Sequence, residues 1–257
     1  MTLAAGRFAP APDAAPRGRM LSAQTAMEFK LLLRNGEQVG LTLLIPLLLE
    51  FFFNLPLLYS LGTPRRVDFV VPSIITLAVM SAAFTGLAIG TGFERKYAVL
   101  KRLGATALPR TVLIGGKTLS VLLLELVQLA LICAFGFVLA WHPHGDPLVA
   151  LLLVVLGTIA FGGIGLLVAG TLRAEVTLAA ANLIWLVLLF AGGIAVPLSK
   201  YGGTARDVLQ YLPSAALSDG LHAVLLNGHG LPLRETVTLL VWAAVAVPAA
   251  ARWFRWE

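Results

Sequence analysis

The chain has 257 residues, 58% of them hydrophobic and only 12% charged, against about 25% charged in an ordinary soluble domain. This argues against a soluble enzyme and for an all-α polytopic membrane protein, so the net charge of +6 reads as charge bias across a bilayer rather than as affinity for nucleic acid. Cys133 is the single cysteine, which excludes an internal disulfide and a cysteine-based zinc site.

Residues 1–19 are rich in Ala and Pro, carry Arg7, Arg17 and Arg19, and lack the apolar core of a signal peptide; they predict a disordered cytoplasmic tail. Residues 20–37 predict an interfacial amphipathic helix. Met20, Met27 and Leu31 form its apolar stripe, and Gln24, Glu28 and Asn35 its polar one. The remainder, 38–257, reads as a six-helix transmembrane domain. Apolar runs of about the 20 residues that a span needs fall near 39–61, 69–93, 112–140, 147–172, 177–198 and 233–251.

Six spans put both termini on one side. With the N-terminus inside, fourteen of the nineteen Lys and Arg residues fall in inside segments; only Arg65, Arg66, Lys200, Arg206 and Arg234 fall outside. The positive-inside rule therefore predicts N-in, C-in, with the multi-pass chain in a bacterial cytoplasmic membrane. An excess of Arg over Lys and abundant Ala fit a GC-rich bacterial genome.

Polar positions interrupt the first span at Pro46, Glu50, Asn54 and Pro56, and the prolines should kink it or free carbonyls. In the second span Gly86-x-x-x-Gly90 and Ala88-x-x-x-Gly92 are small faces suited to close helix approach. The loop that follows, 94–111, belongs to the basic stretch FERKYAVLKRLGATALPR at 93–110. Val99 and Leu103, and Leu100 and Leu103, have helical spacing, while Arg95, Lys96, Lys101 and Arg102 lie largely off that face. Gly104 and Pro109 punctuate its end. Such a helix is either a lipid-surface element or a handle for a soluble partner.

Gly115-Gly116-Lys117-Thr118 resembles the end of a P-loop, but Thr111 stands where the motif needs Gly, and no strand precedes it. ATP binding through a P-loop of this chain is not expected. Glu50 and Glu125 are carboxylates within spans, with Gln128 one turn from Glu125. They suit a proton relay, a substrate lining or hydrogen bonds between helices, and Glu125 is expected nearer the interface than mid-membrane. His142, His144 and Asp146 form a polar turn rather than a metal site. Gly157, Gly162, Gly163, Gly165 and Gly170 mark the fourth span for tight packing. After Gly192, Gly193 and Pro197, residues 200–232 mix apolar and polar character. They predict an external re-entrant hairpin of two short helices, 208–212 and 215–226, broken at Pro213.

The stretch from Glu94 to Arg110, with Glu94, Arg95, Lys96, Leu100, Leu103, Ala105, Thr106, Leu108 and Arg110 in register, resembles the cytoplasmic loop of ATP-binding-cassette type-2 permeases, the membrane subunits of daunorubicin- and multidrug-type exporters and of polysaccharide exporters. Ala98 and Ala107 depart from it, standing where Gly and Pro are common. The interfacial helix, six spans and the insert with Leu212-Pro213 extend the resemblance over nearly the whole chain.

The resemblance implies a non-enzymatic permease subunit. Its coupling helix would use Glu94, Arg95, Lys96, Val99, Leu100, Lys101, Arg102 and Leu103 to dock on a separate ATPase, with Val99, Leu100 and Leu103 as an apolar knob. It implies two ATPase copies that bind ATP and Mg, a second permease subunit, the same or related, and no cofactor on this chain. The substrate path would run past Glu50, Asn54, Glu125 and Gln128, with an outer gate at Gly192, Gly193, Leu212 and Pro213. Export of a lipophilic drug or lipid, as in multidrug efflux and antibiotic resistance, is the expected activity. The competing classes are an ion-coupled secondary carrier using Glu50 and Glu125, and a non-transporting scaffold whose basic loop binds anionic lipid.

Overall fold

A computed structural model describes residues 15–55, 65–195 and 198–254 of the chain. Most of those residues are helical, with no strand among them. The expected tail over 1–14, the continuation of the first span through Pro56 to residue 61, and Pro197 lie outside the described residues.

Helix α1 (Arg17–Arg34) starts and ends about three residues earlier than expected, and it leads through a bend of 71° into α2 (Gly36–Asn54). The next span is one continuous helix of 31 residues, Arg66–Lys96. It comprises α3 (Arg66–Val79), a π-helical segment Met80–Gly86, and α4 (Leu87–Lys96). Then come the short α5 (Val99–Gly104) and the long spans α6 (Arg110–Val138), α7 (Pro147–Thr171) and α8 (Ala174–Ala191). Two short helices, α9 (Gly203–Leu209) and α10 (Pro213–Leu225), precede the last span, α11 (Leu233–Trp253). Among the described residues, five single helices are long and apolar enough to cross a membrane, and counting the bent α1–α2 pair as one span gives six.

Local chemistry sets the boundaries. Asp146 caps α7, its Oδ1 accepting from Leu148 N–H at 2.8 Å, and Pro147 sits at the first helical position, where a missing N–H costs nothing. Pro213 likewise opens α10 rather than merely breaking the hairpin. The α3–π–α4 span and α7 form the centre of the bundle; α7 packs most extensively on α11. Glycine permits this. A Cβ on Gly163 would lie 2.9 Å from the Ala246 Cβ on α11, and one on Gly165 would lie 2.7 Å from the Phe84 carbonyl.

The two small-residue faces of the second span behave differently from expectation. Gly92 does meet Thr177 on α8, but Gly86 and Gly90 face no neighbouring helix. They line cavities instead.

Candidate functional site

The basic end of the bundle carries α5, held between α4 and α6. Leu100 is 0% exposed and forms a small separate core with Leu113 of α6 and Phe254, just past α11; Leu103 and Leu108 pack against it. This corrects the expectation that Leu100 belongs to an outward knob. The side chains that face out are Tyr97, 67% exposed, and Val99, 40% exposed, with Lys101 and Arg102 also exposed. The Tyr97 ring stacks on Phe93, with centroids 6.3 Å apart.

The basic residues before α5 are engaged within the chain. Arg95 donates to the Leu172 carbonyl at the end of α7, and Lys96 pairs with Glu175 at the start of α8. The stretch is thus tied to the short α7–α8 link. Ala98 enters α5 at φ +58°, the left-handed region that costs an L-residue roughly 1–2 kcal/mol. The position is therefore one where glycine would be unstrained, and Ala98 occupies it at a cost.

Glu94 does not face outward either. Lys117 Nζ, almost wholly buried, lies 2.6 Å from Glu94 Oε2 and 3.0 Å from Glu28 Oε2. Gln24 Nε2 donates to the other oxygen of Glu28 at 2.7 Å. The triad joins α1, the end of α4 and the start of α6. Gly115 and Gly116 let α1 come close enough: a Cβ on Gly116 would fall 2.5 Å from Gln24 Cγ. The segment that resembles a P-loop end is therefore a helix-packing and ion-pair site. The polar stripe of α1 was legible in the sequence, but its partner on α6 was not.

Three cavities run along the side where α2, the α3–π–α4 span and α8 face one another. One of 570 Å³ lies toward the end opposite α5, walled by Phe53, Phe69, Phe190 and aliphatic residues. A second, of 670 Å³, lies toward the basic end and is more polar, with Asn35, Glu37, Thr42, Ser81 and Gln128 in its wall. A third, of 620 Å³, reaches Thr85, Phe93 and Asn182. Leu49, Leu77 and Trp185 belong to the walls of both the first and the second. Trp185 is pinned there, its Nε1–H donating to Ser81 Oγ at 3.0 Å from the first turn of the π segment. π turns recur at functional sites.

The sequence-expected path residues fall in different places. Gln128 lines the second cavity and donates to the Thr42 carbonyl at 2.7 Å. Glu125 lies midway along α6, not near its end as expected, since α6 runs 29 residues from Arg110. It accepts from the Thr158 hydroxyl on α7, deep in the core. Glu50 is fully buried against α6, where a Cβ on Gly136 would lie 3.3 Å from its Oε1; it is not in the wall of any of the three cavities. Asn54 bonds the Glu50 carbonyl one turn back at 2.8 Å.

At the end opposite α5, Gly192 ends α8 and meets the first turn of α10, which opens at Leu212-Pro213, while Gly193, at φ +73°, faces Leu198. A Cβ on Gly192 would fall 2.1 Å from Ser214 Oγ. His222 of α10 stacks on Phe69 of α3, with ring centroids 4.5 Å apart, and reaches the Ser218 carbonyl at 2.7 Å and the Phe69 carbonyl at 3.1 Å. Burial lowers its pKa below the ordinary value, against the pull of those carbonyls. Burial also raises the pKa of Asp219, opposed by Arg234 at 3.7 Å.

A family model described as "ABC-2 family transporter protein" matches residues 66–252. The chain is also 21% identical over 226 residues to a protein of Bacillus subtilis (strain 168) described as "Putative transport permease YvfS", covering 86% of this chain and 91% of that protein.

Proposed function

Because the chain belongs to the ABC-2 family of transporter proteins, a family of multi-pass permeases that work with an ATPase subunit, we propose that it is the permease subunit of an ATP-driven exporter in a bacterial cytoplasmic membrane. Two copies of a separate ATPase would bind the ATP and Mg, and a second permease, identical or related, would complete the path. The cargo would be a lipophilic drug or lipid, as in multidrug efflux.

The seat of α5 carries this reading. An exposed patch made by Tyr97, in the turn before α5, and Val99, its first residue, sits on a buried anchor, Leu100, that packs on Leu113 of α6 and Phe254 just past α11. Movement imposed on α5 therefore reaches two spans through packed side chains. The Lys117 triad adds α4 and α1 to the same unit. A rigid push at this end would open or close the cavities between α2, α3 and α8. The apolar lining of the cavity nearest the opposite end favours lipophilic cargo over hydrophilic polymers.

The test is the complex reconstituted in vesicles with its ATPase. Tyr97→Asp together with Val99→Asp should leave the permease folded and lower permease-dependent ATP hydrolysis at least about tenfold, roughly 1.4 kcal/mol of lost coupling. Unchanged hydrolysis would remove α5 as the coupling element, and failure of any ATPase to co-purify would remove the exporter reading itself.

A further inference from the structure

The 570 Å³ cavity has an unequal distribution of polar groups. Its wall is aromatic and aliphatic apart from Ser73 and Lys200. Ser73 is already used: its hydroxyl donates to the Phe69 carbonyl at 3.0 Å and lies 3.3 Å from His222 Nε2. Lys200 is exposed at the end of the 3-10 turn Leu198–Lys200. No hydrogen bond or ion pair engages its ammonium group among the described residues. Two other lining residues, Ile194 and Ala195, connect the end of α8 to this turn region, so the cation stands at the rim while the rings of Phe53, Phe69 and Phe190 make the body.

We propose that this cavity binds a single-chain anionic amphiphile, its apolar part among the aromatic rings and its carboxylate or phosphate on Lys200. The volume is in the range of about 300–1,000 Å³ that holds drug-sized ligands, and is too small for a two-chained phospholipid. A lysine ammonium recognises an anion as a point charge on a flexible stem, so it suits a head group at a pocket mouth rather than one fixed geometry. An apolar wall with a single cation at one end sets both the orientation and the sign of the guest. A neutral guest would leave the lysine without a partner; a cationic one would be repelled by it.

The assignment gives a charge class to the cargo and rests on the exporter reading only for its link to transport. Binding is therefore measured apart from ATP hydrolysis. The full-length chain in nanodiscs of zwitterionic lipid is titrated with three probes of one chain length: laurate, dodecanol and dodecyltrimethylammonium. Quenching of tryptophan fluorescence by a brominated laurate reports occupancy beside Trp185, and Trp185→Phe identifies that part of the signal among the five tryptophans. Laurate should bind at least about tenfold more tightly than the trimethylammonium probe, with dodecanol between them.

Lys200→Glu, at an exposed site, should invert that order, and Lys200→Gln should bring the three together. Leu189→Trp, which fills the cavity, should weaken all three. Absence of saturable laurate binding, or an order that survives Lys200→Glu, overturns the proposal. Binding that follows the expected order without any change in ATP hydrolysis by the reconstituted complex leaves the site standing and counts against the exporter reading instead.

Discussion

Gln128 on α6 donates its side-chain amide N–H to the carbonyl of Thr42 on α2, at 2.7 Å, and Thr42 lies four residues before Pro46. In an unbroken α-helix that carbonyl would accept the N–H of residue 46. Proline has none, so the carbonyl is left over inside an apolar bundle, where an unmade hydrogen bond is costly. Gln128 supplies the missing donor from the neighbouring span.

Removing that donor alone should be expensive. Gln128→Leu should cost about 1–3 kcal/mol of stability, the usual penalty for an unsatisfied buried group. Adding Pro46→Ala restores a backbone N–H to the Thr42 carbonyl, so the double variant should recover much of the loss. Unfolding of Gln128→Leu, Pro46→Ala, the double variant and the unchanged chain in nanodiscs gives the double-mutant cycle; strictly additive effects would rule out this pairing as the reason for Gln128.

The Lys117 triad makes a second expectation. Lys117→Met leaves Glu28 and Glu94 facing one another without their cation. Breaking a buried pair on one side typically costs about 3–5 kcal/mol. Combining it with Glu28→Gln and Glu94→Gln should restore most of that stability. Protease protection of α1 and thermal unfolding would both follow the pattern. If the single variant is as stable as the wild type, the triad does not hold α1.

Leu100 and Val99 are neighbours with opposite duties. Leu100→Ala empties space beside Leu113 and Phe254 and should destabilise by about 2–5 kcal/mol. Val99→Ser, at an exposed position, should change stability by no more than about 0.5 kcal/mol yet reduce ATP hydrolysis by the assembled complex. Measuring both quantities on both variants separates seat from contact surface. Equal stability of the two would refute the buried role of Leu100.

His222 gives a pH dependence. Its folded pKa lies below the ordinary value of 6.5 because burial disfavours the charged ring. The neutral ring has one N–H, which it donates either from Nδ1 to the Ser218 carbonyl or from Nε2 to the Phe69 carbonyl. As pH falls through 6.5 toward the lower folded value, the unfolded chain takes up its proton first, so the contribution of this residue is present above 6.5 and declines on acidification. His222→Phe should flatten that part of the stability profile. A profile unchanged by the substitution would show that another group is responsible.

Much of this was legible in the sequence because apolar runs and charge bias are written locally. The spans, the helix before them and the position of α5 follow from composition and periodicity. The inward turn of Leu100 does not, because a periodic pattern gives a face but not what lies beneath it; Phe254, its partner, is over 150 residues away in a short polar-looking tail. Glu28, Glu94 and Lys117 each look like surface charges until the fold gathers them. The left-handed Ala98 had a faint signal, a residue standing where glycine is common. The π segment had none, since Met80–Gly86 reads like any other apolar helix.

A π turn holds about one residue more than an α turn, and each residue of an α-helix accounts for roughly 100° of rotation. Shifting the wide turn along the Arg66–Lys96 helix would therefore swing the side chains it passes to a new bearing while the helix ends stay fixed. Ser81, at the start of that turn, would carry the tether of Trp185 with it. The helix contains its own screw, and the partition between the 570 and 670 Å³ cavities is fastened to the thread.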